Sequence, residues 1–261
     1  MLNPGPTALA VVFGALAVAP LANRLVYAWV ADRPWPAAPE RCARCGRAFP
    51  WPAALPGLGR LRRAWGRPCG HGPEPWRMLT FGAFGAGGGA LALTLADPLR
   101  LAQALALLAA LWVLALVDAQ TRTVEPRVVA AGIALQLALL LLFARPQIAG
   151  MVAGMLVGAG VFSLVGFFYE TLRGRQGLGE GDAAVMALIG LHVGWQGVLP
   201  VVAGAALAGI VGGLPWLLLR RRPLGEPLPF VPFLATAGLA VFLAQAYGWA
   251  AWARWPGPWG F

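Results

Sequence analysis

The chain is 261 residues long, 59% hydrophobic and only 11% charged, whereas soluble domains carry about one quarter charged residues; this excludes an ordinary water-soluble globule and makes lipid the solvent. Its formal net charge of +10 rests on 20 basic residues, all arginine, against ten acids, a balance that in a soluble protein would point toward nucleic acid. Most of these arginines fall between apolar runs, where charge sets membrane topology, so no nucleic-acid partner is expected.

In chain order, apolar runs occupy about 7–30, 78–96, 99–117, 128–143, 148–168, 183–198, 201–219 and 230–252. Runs of this length are sufficient to cross a bilayer as helices, which predicts an all-α membrane protein with about eight transmembrane helices. The first run lacks a basic leader region and a small-residue cleavage site and reads as a retained helix. It is followed by an arginine-rich insertion, 31–77, and then by a seven-helix core, 78–261. The insertion holds all three cysteines, two of them in the Cys42-Ala43-Arg44-Cys45 pair; three cysteines make no disulfide framework, and a reducing compartment fits best. Very short connectors at 97–100 and 144–147 force antiparallel neighbours.

Alternate loops divide the arginines seventeen to three, with only Arg100, Arg145 and Arg254 in the poorer set. The positive-inside rule then places the insertion and the 119–127, 169–182 and 220–228 loops in the cytoplasm and both termini on the far side. Gly150, Gly154 and Gly158 recur at four-residue spacing, and Gly82, Gly85 and Gly89 lie close together, which reads as tight helix packing. No strand precedes them, so a phosphate loop is not indicated. Tryptophans near span ends, among them Trp29, Trp76, Trp195, Trp249 and Trp252, read as interfacial anchors.

Two acids stand apart. Asp118 closes the third span and Asp182 opens the sixth, in a chain where nearly every other acid lies in a loop. Carboxylates at membrane depth are costly and are usually kept for function. The spans alternate in direction, so both residues face the same side at similar depth. Two carboxylates brought together in a poorly solvated site share a proton, and such a pair supplies both a base for water and an acid for a carbonyl. The plainer alternative makes Asp182 a helix cap and Asp118 an interfacial end residue. His192 lies ten residues beyond Asp182, about 15 Å along a helix, and reads as packed or hydrogen-bonded.

Asp182 ends the sequence Gly177-Leu178-Gly179-Glu180-Gly181-Asp182, a GxGD whose Gly179 and Gly181 allow backbone to approach a substrate closely. With Asp118 and the following Val124 and Pro126, with Leu21 to Tyr27 at the end of the first span, and with Arg41-Cys42-Ala43-Arg44-Cys45-Gly46, Trp51 and Leu55-Pro56-Gly57-Leu58 in the insertion, the chain resembles the type IV prepilin peptidases. These are membrane aspartic proteases that remove the leader from pilin-like precursors. The resemblance covers most of the chain. It implies catalytic roles for Asp118 and Asp182, prepilin-like or pseudopilin substrates with a short basic leader before a hydrophobic helix, and residence in a bacterial inner membrane.

The chain departs from the family's pattern in three places. Glu125 intervenes before Pro126, Ala183 and Ala184 follow the second aspartate where a basic residue is common, and the second cysteine knuckle retains only Cys69. Zinc in the insertion would take Cys42, Cys45 and Cys69, with His71 as the fourth ligand; the alternative is a degraded knuckle that folds without metal. The family's longer members also methylate the new N-terminus with S-adenosylmethionine, and the incomplete knuckle leads us to expect weak or absent methylation here. Two rivals remain at the level of sequence: a proton- or cation-coupled transporter using the same aspartates, which needs a polar path across the bilayer, and a noncatalytic scaffold, which leaves the aspartates unexplained.

Overall fold

The computed structural model describes residues 4–30, 79, 80, 82–174, 179–213, 215 and 228–249. Every regular element among them is helical. The 31–77 insertion, with Cys42, Cys45, Cys69 and His71, lies outside the described residues.

The chain divides into two units, Met1–Ala96 and Asp97–Phe261. In the first, α1 (Pro4–Val30) pairs with a π-helical turn, Ala83–Gly87, that runs into α2 (Gly88–Thr94). Gly89 lets α2 come so close to α1 that a Cβ there would lie 2.7 Å from the Val12 side chain. Asn23 is buried on α1.

The second unit contains α3 (Pro98–Thr121), α4 (Pro126–Phe143), a short 3-10 turn (Arg145–Gln147), α5 (Ile148–Arg173), α6 (Glu180–Ala208) continued by a π turn (Gly209–Gly213), and α7 (Val231–Ala246). Local chemistry sets these limits. Asp97 caps α3 by accepting from Leu99 N at 2.9 Å, proline stands in the first turns of α3, α4 and α7, and Gly174 closes α5 at φ 63, a conformation that glycine adopts without steric cost. Five helices in the described residues are long and apolar enough to cross a membrane, and the protein is an integral membrane protein. Its surface agrees: Leu156, Leu164, Phe167, Phe168 and Leu172 of α5 are exposed, as a lipid-facing helix requires.

The expected break between the sixth and seventh spans, at Leu199–Pro200, falls elsewhere. Pro200 sits inside α6, and the non-helical residue is Gly194, at φ 68 and ψ 173. Packing on α7 shows that the chain turns back there. Before the break, Ile189 packs on Gly238 and the Val193 carbonyl meets Gln245; after it, Gly197 lies beside Gln245, Gly204 beside Ala237, and Gly209 beside Phe230 and Phe233. The contacts thus climb α7 and then descend it. The fourteen residues from Glu180 to Val193 rise about 21 Å, short of the roughly 30 Å hydrocarbon core. A reversal at that depth frees backbone groups that lipid does not satisfy, and the Gln245 amide takes the Val193 carbonyl at 2.9 Å.

The first arm of α6 is the centre of the unit. Val185, Leu188, Ile189 and Leu191 are fully buried, with Leu107 and Leu114 of α3 and Leu234 of α7 also sealed. On its other side α5 approaches to backbone contact. Gly154 and Gly190 touch through their main chains, so that a Cβ on either would meet the other's carbonyl oxygen, and a Cβ at Gly158 would come within 2.7 Å of the Met186 carbonyl. Two of the three evenly spaced glycines therefore do the packing expected of them, whereas Gly150 faces open space.

Gly154→Ala or Gly190→Ala should push α5 and α6 apart and cost about 1–3 kcal/mol, the usual penalty for overpacking. Gly160→Ala, with nothing within 4 Å, should leave stability unchanged or slightly raised. Thermal unfolding in detergent separates the two classes, and equal melting temperatures for all three variants would remove the contact from the account.

Candidate active site

Asp118 stands in the last turn of α3, at the end of a buried stripe formed by Leu107, Leu111 and Leu114 at helical spacing. It is only 6% exposed. The helix stops just beyond it because Arg122 takes the left-handed conformation, φ 57, and returns its N–H to the Asp118 carbonyl at 2.8 Å. That geometry is uncommon for a residue with a side chain. It also leaves the Arg122 guanidinium near enough to act on the Asp118 carboxylate. Three residues on, Glu125 caps α4 by accepting from Arg127 N at 3.4 Å.

Asp182 is the third residue of α6. Gly179, extended at φ −74 and ψ 146, is the N-cap, and Asp182 N–H donates to its carbonyl at 3.0 Å. The Asp182 carboxylate in turn bonds the Gly179 backbone. This is the returning half of a capping box, with glycine supplying no side chain for the other half. Asp182 is half-buried.

The loop after Asp118 and the residue before Asp182 are pressed together. Gly181 lies against Val124 so closely that a Cβ would stand 2.7 Å from Val124 Cγ2. The two aspartates, 64 positions apart (182 minus 118), thereby meet at one end of the unit, and the Asp118 carboxylate acts electrostatically on Asp182. Of the four functional positions expected in the core, Asp118, Asp182, Gly179 and Gly181, all four fall at this junction.

A third helix end completes it. Val231, the first residue of α7, donates its backbone N–H to Asp118 Oδ2 at 3.1 Å. Amides in a first helical turn have no partner within their own helix, and here the Asp118 carboxylate is that partner. Sequence reasoning missed Val231 because a backbone donor leaves no side-chain signature. The prolines at 229 and 232 did mark a helix start, without showing where it would point. His192 behaves as expected: it is buried, its Nδ1 faces the Leu188 carbonyl at 2.9 Å, and its ring packs on Phe242, away from the aspartates.

Gly181→Ala should lower stability by about 1–3 kcal/mol through the clash with Val124, and Val124→Ala in the same chain should restore most of it. Melting temperatures of the wild type, both single variants and the double variant test this. A double variant no better than Gly181→Ala would show that Val124 is not what demands the glycine.

Residues 105–214 match the family model described as the type IV leader peptidase family. The prepilin leader peptidase/N-methyltransferase of Burkholderia pseudomallei strain 1026b is 34% identical over 209 residues, 76% of this chain and 65% of that protein. The protein of the same name from Dickeya chrysanthemi is 29% identical over 226 residues, covering 84% and 77%, and that from Xanthomonas campestris pv. campestris is 37% identical over 89 residues, covering 34% and 31%. The chain spans less than two thirds of the length of the Burkholderia and Xanthomonas relatives. No solved structure matches it. The matched region holds both aspartates and the junction that joins them, and over these residues the chain is similar to the type IV leader peptidase family.

Proposed function

We propose that the protein is a membrane aspartic endopeptidase that cleaves the leader from type IV prepilin-like or pseudopilin precursors at the cytoplasmic face of a bacterial inner membrane. The observation that carries this reading is the meeting of Asp118 and Asp182, from separate helices, at one buried end of the bundle. The names of the relatives supply the substrate class.

The chemistry follows from a carboxylate pair that shares one proton. The ionised member takes a proton from water as the water oxygen attacks the scissile carbonyl carbon, and the protonated member hydrogen-bonds the carbonyl oxygen. Collapse of the tetrahedral intermediate breaks the carbon–nitrogen bond, and a proton from the pair goes to the departing amine. Val231 N–H and the Gly179 backbone hold the two carboxylates in place. The seventeen-to-three arginine split supports the cytoplasmic placement of this end and a far-side position for both termini.

Asp118→Asn and Asp182→Asn should each lower cleavage of a prepilin-like substrate by at least about a hundredfold while leaving the protein inserted and folded. The double variant should be little worse than either single one, because the pair acts as a unit. Glu125→Gln and Glu180→Gln should keep substantial activity, since Glu125 is a helix cap and Glu180 is exposed. Near-normal cleavage by either asparagine variant would remove the dyad from the mechanism. A wild type that moves ions but never cleaves would favour the transporter.

Two finer points belong to the same proposal. Cys42, Cys45, Cys69 and His71 are assigned as a zinc set in the insertion, to be tested by metal analysis of freshly purified protein. About one ion per chain is expected, lost on Cys42→Ser and reduced by His71→Ala, and metal-free folded protein would overturn the assignment. Methylation of the new N-terminus from S-adenosylmethionine is expected to be weak or absent, and full methylation seen by mass spectrometry of the cleaved product would refute it.

A further inference from the structure

Two buried side chains on neighbouring helices of the second unit keep polar atoms without a protein partner. Gln136 of α4 is fully buried, and neither its amide nitrogen nor its carbonyl oxygen is hydrogen-bonded. His192, on the first arm of α6, is 1% exposed; its Nδ1 lies 2.9 Å from the Leu188 carbonyl and its Nε2 is unpaired. A carbonyl only accepts, so Nδ1 carries the hydrogen and, in the neutral ring, Nε2 presents a lone pair.

Contacts between α4 and the first arm of α6 bracket both residues at a similar level along their helices. α4 and the first arm of α6 run in the same direction, and Gly132 packs on Leu188 so that a Cβ there would meet Leu188 Cδ1 at 2.9 Å. Further along, Leu140 clusters with Leu191. Gln136 lies one turn past Gly132 and one turn before Leu140, between these two contacts. His192 lies one turn past Leu188 and next to Leu191. The level is about 15 Å from Asp182 along the helix, close to half of a hydrocarbon core of about 30 Å.

An unpaired amide and an unpaired imidazole nitrogen are costly at that depth. A direct Gln136–His192 bond would satisfy the imidazole and one amide hydrogen but would leave the Gln136 carbonyl oxygen alone. Buried waters typically make about three hydrogen bonds to otherwise unsatisfied groups, and here the Gln136 donor, the Gln136 acceptor and the His192 lone pair number three. We propose that the α4–α6 interface binds a water molecule between Gln136 and His192, an internal hydration site near the middle of the membrane that ties α4 to the helix from which Asp182 springs.

Radiolytic hydroxyl-radical labelling of the protein in lipid nanodiscs tests this, because a bound water is itself the radical source. Phe242 is the internal standard: it is equally sealed, at 1% exposure, with its ring centroid 6.3 Å from that of His192. His192 should be oxidised well above Phe242, and Gln136→Leu should cut His192 labelling several-fold. Labelling of His192 at or below that of Phe242, or unchanged in folded Gln136→Leu protein, overturns the proposal. Should that variant not fold, solid-state NMR of the isotope-labelled native chain in lipid decides: magnetisation transfer from water protons to His192 Nε2 is expected. A scalar coupling between the Gln136 and His192 side-chain nitrogens without such transfer would replace the water by a direct bond and overturn the site.

Discussion

The hydrogen bond from the Val231 amide to the Asp118 carboxylate meets two needs that lipid imposes together. A helix that begins inside a bundle has N–H groups with no intrahelical acceptor, and a buried acid has lost the water that would solvate it. Each is the other's remedy. The same solution appears at Asp182, where the Gly179 backbone at the start of α6 meets the carboxylate. Two helix starts thus face two acids, and the positive end of a helix dipole favours negative charge at both places. A candidate site assembled from helix ends thus meets its carboxylates with main-chain groups, with Arg122 beside Asp118.

That arrangement depends on α6 folding back. Both arms of α6 pack along α7 because the chain reverses at Gly194, and this pairing brings the start of α7 level with the start of α6. Two glycines meet two demands: the positive φ of Gly194 makes the turn, and the missing side chain at Gly154, where a Cβ would collide with the Gly194 backbone, lets α5 approach it. A side chain at either position would break the turn or the approach of α5. The carbonyl released at Val193 is then met by Gln245 from α7, so the helix that receives Asp118 at one end also closes the reversal at the other.

The parts of this legible in the sequence are those in which a residue is out of character for its surroundings. Asp118 and Asp182 stand out because acids are scarce in the spans, and their shared level followed from alternating span direction. Gly154 and Gly158 were legible as packing residues from their spacing, although spacing alone did not exclude Gly150, where a Cβ would meet open space. Pro200 was a misleading punctuation mark. It lies within a helix, while the break falls at Gly194, which looked like any other glycine in a glycine-rich chain. Val231 was invisible because its contribution is a main-chain amide. Gln136, a polar residue inside an apolar run, carried a signal of the same kind as the aspartates and went unread because it bears no charge.

The exposure of the two aspartates gives the site a direction. Asp118 is sealed between α3 and the start of α7, whereas Asp182 is half-buried beside an exposed Gly179 and Glu180. In the proposed reaction, water and a scissile peptide would enter from the Asp182 side, past the glycine-lined start of α6. Arg122, in the loop that Val124 presses against Gly181, and Arg127, in the first turn of α4, lie at the same end as the acids. In the proposed orientation, one feature of the sequence does two things. Arginines that hold these loops in the cytoplasm also hold the open side of the dyad where an uncleaved leader lies, while α5 presents lipid-facing apolar surface to the membrane from which a substrate's hydrophobic helix approaches.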